Sequence, residues 1–159
     1  MRVIGLDPGI TGGYASWDGE TLAVLPVPSF KSKSRGREID WVTLAEQFAL
    51  FMSDADHAYI EKVNARPHDG GSAGFKFGYV TGGQRAIISS SMIPVTEVPP
   101  HTWKMNMGLS QDKNASFAKA KEKFPAYRHL FERKSDEGVA EASLIAYYGW
   151  CKLLGEDLE

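Results

Sequence analysis

Five acidic side chains, Asp7, Glu61, Asp136, Glu137 and Glu141, stand where an acid needs a physical reason. Asp7 closes the apolar run Val3-Ile4-Gly5-Leu6 and is followed by a Pro8-Gly9 turn and a Gly12-Gly13 pair. That pattern predicts a hairpin that starts at the N-terminus and presents a carboxylate at its tip. Desolvating a carboxylate costs several kcal/mol unless something compensates it. A divalent cation such as Mg²⁺ or Mn²⁺ is a fitting compensation, because carboxylate oxygen is a hard ligand. Glu61 ends the run His57-Ala58-Tyr59-Ile60 in the same way. Glu137 and Glu141 are spaced i and i+4, on a helix face shared with Leu144, Ile145 and Tyr148. Like charges at that spacing repel each other. Several carboxylates at one spot suit two-metal phosphoryl transfer, with one ion activating water and another, about 4 Å away, holding the leaving 3′ oxygen.

Each acid also has an ordinary reading. Asp7 suits the first position of a tight turn, and Glu61 can pair with Lys62 or Arg66. Asp136 and Glu137 complement a helix dipole, which leaves Glu141, one turn further in, unexplained. No HExxH, CxxC, GxSxG or GxxxxGK[ST] motif competes with a carboxylate site.

The elements that must position these residues follow from periodicity. Residues 2–7, 13–17 and 21–27 read as strands, with Asp18-Gly19 turning between the last two. Lys31-Ser32-Lys33-Ser34-Arg35-Gly36-Arg37 reads as an exposed, mobile basic loop. Trp41, Val42, Ala45, Phe48, Ala49 and Met52 recur at helical spacing between Arg37 and Ser53. A strand at 57–63, a polar Gly-rich loop, a helix at 74–91 and a strand at 93–98 come next. Pro99-Pro100 stops that strand, and a connection leads to helices at about 112–124 and 136–153. This order predicts an α/β fold, a mixed sheet flanked by helices, in a single domain over 1–159.

Composition is that of an ordinary soluble globular protein, with 43% hydrophobic and 24% charged residues. One cysteine and no signal-peptide or membrane-spanning pattern predict a cytoplasmic protein with no membrane contact. Net charge is only −2, but Lys31, Lys33, Arg35 and Arg37 cluster, as do the cations from Lys113 to Lys134. Such clusters predict phosphate contacts while acidic ligands elsewhere balance the count. In the 74–91 helix, Gly78 and Gly82 clear one face, and Val80, Ala86, Ile87 and Ile88 supply apolar area. Glycine costs about 1 kcal/mol in a helix interior, so this face predicts close packing against another helix, as in a homodimer.

With these residues in place, the chain resembles the RuvC-type Holliday junction resolvases of the RNase H-like superfamily, particularly their bacteriophage members. The matching pieces are Ile4-Gly5-Leu6-Asp7-Pro8-Gly9 with Thr11-Gly12-Gly13, and Tyr59-Ile60-Glu61-Lys62-Val63. Pro100-His101-Thr102-Trp103-Lys104 through Met107-Gly108-Leu109-Ser110 to Lys113 follows, then Asp136-Glu137-Gly138-Val139-Ala140-Glu141-Ala142. They recur in the family's order and cover almost the whole chain.

The resemblance implies a five-stranded RNase H-like sheet and Mg²⁺- or Mn²⁺-dependent cleavage of four-way or branched DNA, with one or two ions per site. It assigns metal ligation to Asp7, Glu61 and Glu141, the last standing where cellular members usually have Asp. The remaining ligand falls on Asp136 or Glu137, and helical geometry favours Glu137. Lys104 and Lys113 match the family's active-site lysines. The loop from Asn64 to Phe77 occupies the place where the family touches the junction centre. Arg66 there suits phosphate, and Phe75 or Phe77 an unpaired base. The resemblance also implies a homodimer through the 74–91 helix, no nucleotide cofactor and, for a phage protein, the host cytoplasm. The rival readings are an RNase H-like nuclease for flaps, forks or RNA–DNA hybrids, and an inactive junction-binding relative. The sugar-kinase and actin-like ATPases open similarly but need two such domains.

Overall fold

In chain order the elements are β1 (Val3–Asp7), β2 (Gly13–Trp17), β3 (Leu22–Pro26), β4 (Ser29–Ser32), β5 (Gly36–Ile39) and α1 (Trp41–Phe51). They continue with β6 (His57–Glu61), α2 (Gly71–Ser90), β7 (Val95–Val98), α3 (Pro100–Asn106), α4 (Lys113–Lys123) and α5 (Glu137–Leu154). The computed structural model describes residues 1–34, 36–64, 70–109 and 113–156. Five strands form one mixed sheet in the order β3-β2-β1-β6-β7. β1 pairs antiparallel with β2 and parallel with β6, and β6 runs parallel to β7. This is the predicted α/β architecture.

Strand periodicity divides the sheet into two faces. Val3, Ala15 and Tyr59 pack with α5 and with Trp103, Phe124 and Phe131 on one side. Ile4, Leu6, Tyr14 and Ile60 pack with Leu44, Phe48, Val80 and Ile88, from α1 and α2, on the other. Helix α5 lies directly on the strand backbones. A Cβ on Gly5 would sit 2.1 Å from the carbonyl oxygen of Ala142, so no larger residue fits there. At the helix start Gly138 forms a parallel bridge with Gly12. A Cβ on Gly138 would lie 2.4 Å from the Thr11 carbonyl oxygen. These contacts seat the first turn of α5 on the β1–β2 turn.

Element ends shift by a few residues, with α2 starting at Gly71 inside the expected loop, and two departures are larger. The basic stretch is a hairpin, not a loop: β4 and β5 pair from Ser29↔Ile39 to Ser32↔Gly36. Gly36 supplies the positive φ of 77° that lets the chain enter β5. Arg37 therefore belongs to a strand, and α1 begins four residues later, where Asp40 accepts from the Thr43 N–H. Second, Pro99-Pro100 ends β7 but also opens α3, since proline at the first helical turn loses no intrahelical bond. Among the described residues no helix is long and apolar enough to cross a membrane.

Candidate active site

The period-two alternation that buries Val3 and Gly5 beneath α5 puts Asp7 on the same face, and Glu61 follows Tyr59 to that face. Leu6 stands beside Ile60 in the parallel pairing, so the two carboxylates end neighbouring strands. Glu141, one turn into α5 from the Gly12–Gly138 contact, approaches from above.

The groups around these acids are specific. Trp103, fully buried on α3, donates its indole N–H to Glu61 Oε2 at 2.9 Å. The next residue, Lys104, donates to Glu141 Oε1 at 2.8 Å, and Ser116 on α4 donates to the same oxygen at 2.9 Å. Gln84, fully buried on α2, donates from Nε2 to the Pro8 carbonyl at 3.1 Å and so ties that helix to the turn after Asp7.

Electrostatics bind the cluster together. Burial, then the negative charges of Glu141 and Glu61, push the Asp7 carboxyl up to about 8, against the pull of Lys104 and the Gly9 N–H. Burial also raises Glu61, with Glu141 adding to it and the Trp103 bond opposing it. Burial alone would lower the Lys104 ammonium. Its bond to Glu141 and the charges of Glu141, Glu61 and Asp7 outweigh that and raise it. One ammonium thus faces three carboxylates, leaving excess negative charge that suits a divalent cation with hard oxygen ligands. Among the described residues no three acid, histidine or cysteine side chains are gathered tightly enough to cage an ion as they stand. Asp7, Glu61 and Glu141 are the residues that would hold it. When bound, such an ion supplies an activated water and charge neutralisation at a phosphodiester.

The other expected ligands stand elsewhere. Asp136 is the buried cap of the last helix, accepting from the Arg133 backbone N–H at 2.8 Å and pairing with its guanidinium at 3.1 Å. Burial works against its charge, but these bonds hold its carboxyl below the usual range. Glu137 lines a separate cavity of about 430 Å³ with Asn114, Lys121, Arg133 and Lys134. The residue that faces the β1–β2 turn is Gly138, which has no side chain to offer.

Of the expected DNA contacts, Lys31, Lys33 and Arg37 are exposed on the hairpin, and Arg37 donates to Ser29 Oγ at 2.9 Å. Phe75 is 76% exposed on α2, whereas Phe77 is half-buried. Arg35, Arg66 and the Lys113 side chain lie outside the described residues. Sequence reasoning missed Trp103, Ser116 and Gln84. Gln84 carried a signal, since it interrupts the apolar i, i+4 series Val80–Ile88.

No known protein-family model matches the chain. Among curated proteins, the chloroplastic Holliday junction resolvase of Chlamydomonas reinhardtii is 30% identical over 92 residues, which is 57% of this chain. The chain spans about a tenth of that relative's length, 10%. Among solved structures, Thermus thermophilus RuvC in complex with Holliday junction substrate aligns with a TM-score of 0.64 at 17% identity, covering 98% of this chain and 97% of that one. The yeast mitochondrial Holliday junction resolvase aligns at 0.58 with 13% identity, covering 96% of this chain and 78% of the other. The fowlpox virus Holliday junction resolvase aligns at 0.55 with 18% identity, covering 94% and 99%. From end to end, then, the chain has the RuvC, RNase H-like fold, with its carboxylates at the strand ends beneath the last helix.

Proposed function

We propose that this chain is a divalent-metal-dependent nuclease of one RNase H-like domain, 1–159, that resolves four-way or branched DNA junctions. The observation that carries the reading is the meeting of Asp7, Glu61 and Glu141 around Lys104, on a fold shared end to end with junction resolvases. Mg²⁺ or Mn²⁺ is the cofactor, held by the three carboxylates. Lys104 orients Glu141 and stands ready to neutralise charge that develops on the scissile phosphate. Trp103 holds one oxygen of Glu61 and keeps that side of the carboxylate dry.

The protein acts as a homodimer, one site per symmetric strand of the junction. Gly78 and Gly82 support this assembly, because both are exposed on α2 and a Cβ on either would meet nothing within 4 Å. Their cost to the helix is offset when a second helix packs closely. The single cysteine, Cys151, is buried and fits a reducing compartment such as the cytoplasm.

The test is cleavage of four-way, three-way, flap, linear duplex and RNA–DNA hybrid substrates, with Mg²⁺, with Mn²⁺ and with EDTA. Metal-dependent paired nicks in the four-way substrate, lost in Asp7→Asn, are the expected result. Preference for flaps or hybrids would overturn the junction assignment and keep the nuclease, and cleavage in EDTA would remove the metal.

A further inference from the structure

Gln84 stands on the buried face of α2 between Val80 and Ile88, two members of the core beneath α1 and α2. It is fully buried, on a different face from the exposed Gly78 and Gly82. Its Nε2 donates to the Pro8 carbonyl at 3.1 Å and also reaches the carbonyls of Gly9, at 3.5 Å, and Val80, at 3.4 Å. All three neighbours are acceptors, so the amide takes this orientation alone; Oε1 in the same place would set oxygen against oxygen. Oε1 itself has no partner among the described residues. A buried unpaired acceptor costs stability, and Met or Leu would fill the same space without one. Packing does not explain an amide here.

The bond that Gln84 makes has a second end. The Pro8 carbonyl and the Gly9 N–H belong to one peptide group, and that N–H donates to the Asp7 carboxylate. Planarity ties the two ends together, so fixing the carbonyl fixes the direction of the N–H. A donor on the carbonyl also polarises the peptide and strengthens the bond its N–H makes. Asp7 folds back over this turn, with Oδ1 3.9 Å from where a Cβ on Gly9 would stand. From the α5 side, Gly138 meets Gly12, whose N–H donates to the Gly9 carbonyl at 3.0 Å. The turn is thus gripped by α5 on one face of the sheet and by Gln84 on the other.

Resting on the metal-nuclease reading, we infer that Gln84 is a positioning residue for Asp7. Through the Pro8–Gly9 peptide it holds one hydrogen bond on the Asp7 carboxylate, which sets the orientation of that group and leaves its remaining lone pairs to a divalent ion. It touches neither the ion nor the DNA. Partners that act on a metal ligand from this remove change metal affinity by about ten- to a hundredfold when lost.

The experiment is calorimetric Mn²⁺ binding to the full chain without DNA, beside single-turnover junction cleavage across Mn²⁺ concentration. Gln84→Met and Gln84→Leu keep the bulk and remove the donor. Each should weaken Mn²⁺ binding about tenfold and raise the half-saturating Mn²⁺ for cleavage by the same factor. Excess Mn²⁺ should then restore the rate to within about threefold of wild type. Metal-free Tm should move little, because one unpaired acceptor, Oε1, is exchanged for another, the Pro8 carbonyl. Leu44→Ala, a cavity in the same core, should lower Tm and leave Mn²⁺ affinity unchanged.

Wild-type Mn²⁺ affinity in both Gln84 variants would overturn the proposal. So would an equal loss of affinity in Leu44→Ala, since the amide would then only support the fold. One measurement needs no variant: in the wild type, Mg²⁺ should shift the NMR signals of the Gly9 amide and the Gln84 side-chain amide together. A Gln84 signal that stays in place while Gly9 moves would also overturn it. If the variants lose Mn²⁺ affinity and the wild type cuts no junction, the junction reading fails and the role of Gln84 stands. Junction cleavage with Mn²⁺ affinity indifferent to Gln84 means the converse, and a wild type that binds no Mn²⁺ removes both.

Discussion

The Lys104 ammonium closes on Glu141 at 2.8 Å while its charge also reaches Asp7 and Glu61, so one α3 side chain is the counter-ion of acids from three separate elements. Glu141 is held from a second side by Ser116, and its side chain keeps only 14% of its surface exposed. A cation so placed serves the chemistry more than the hold on DNA. Lys104→Met should lower the single-turnover cleavage rate by about a hundredfold and change junction Kd by less than about threefold. A loss confined to Kd would contradict this.

The raised Asp7 carboxyl makes metal-free stability depend on pH with a definite sign. In the folded protein the group titrates near 8, against 3.8 ordinarily, so the folded state keeps a proton the unfolded chain has released. Stability from this group is therefore full below about pH 4 and declines as pH rises to about 8. In EDTA, Asp7→Asn should flatten that decline and raise Tm at pH 8 by about 5 °C or more. Adding Mg²⁺ or Mn²⁺ should do the same for the wild type, by binding the folded carboxylates. Thermal scans across pH with and without metal measure both effects.

Glu137 and Glu141 separate cleanly by substitution. Glu141→Gln should reduce cleavage by at least about a hundredfold, because it removes a candidate ligand and the partner of Lys104. Glu137→Gln, in the cavity with Lys121, Arg133 and Lys134, should leave the cleavage rate within about threefold. Parallel single-turnover assays decide it, and equal losses would return Glu137 to the metal site.

The exposed face of α2 predicts the assembly. Sedimentation at micromolar concentration should give about twice the 17.5 kDa chain mass. Gly82→Glu, at an open position where the new side chain meets nothing in its own chain, should yield a folded monomer. That monomer should nick one strand of a junction without pairing the cuts. A wild-type monomer on junction DNA would refute the two-fold arrangement.

Local chemistry in the sequence was sufficient for the sheet and for two of its acids. Strand alternation, the Pro8-Gly9 turn and a carboxylate closing each apolar run concern neighbours in the chain, so Asp7 and Glu61 were legible at the ends of β1 and β6. Where the local pattern was ambiguous, backbone pairing and position within an element decided. The basic stretch carries loop-forming residues but is a hairpin, because Ser29 to Ser32 find partners across Gly36. Pro99-Pro100 looked like a stop and was also the start of α3, which carries Trp103 and Lys104 to the site.

The sequence by itself determined which residue types could do metal chemistry and roughly where the strands would present them. Only the tertiary structure decided which acid of the last helix meets Lys104. Periodicity says that Glu137 and Glu141 share a face, but not where along the sheet that face is seated. Gly5 and Gly138 settle the seating, because only a bare Cα lets α5 descend onto β1 and the Gly12 backbone. That descent brings Glu141 to Lys104 while Glu137 lines the cavity with Lys121, Arg133 and Lys134, and seating of this kind follows from packing between distant segments, which no local pattern encodes.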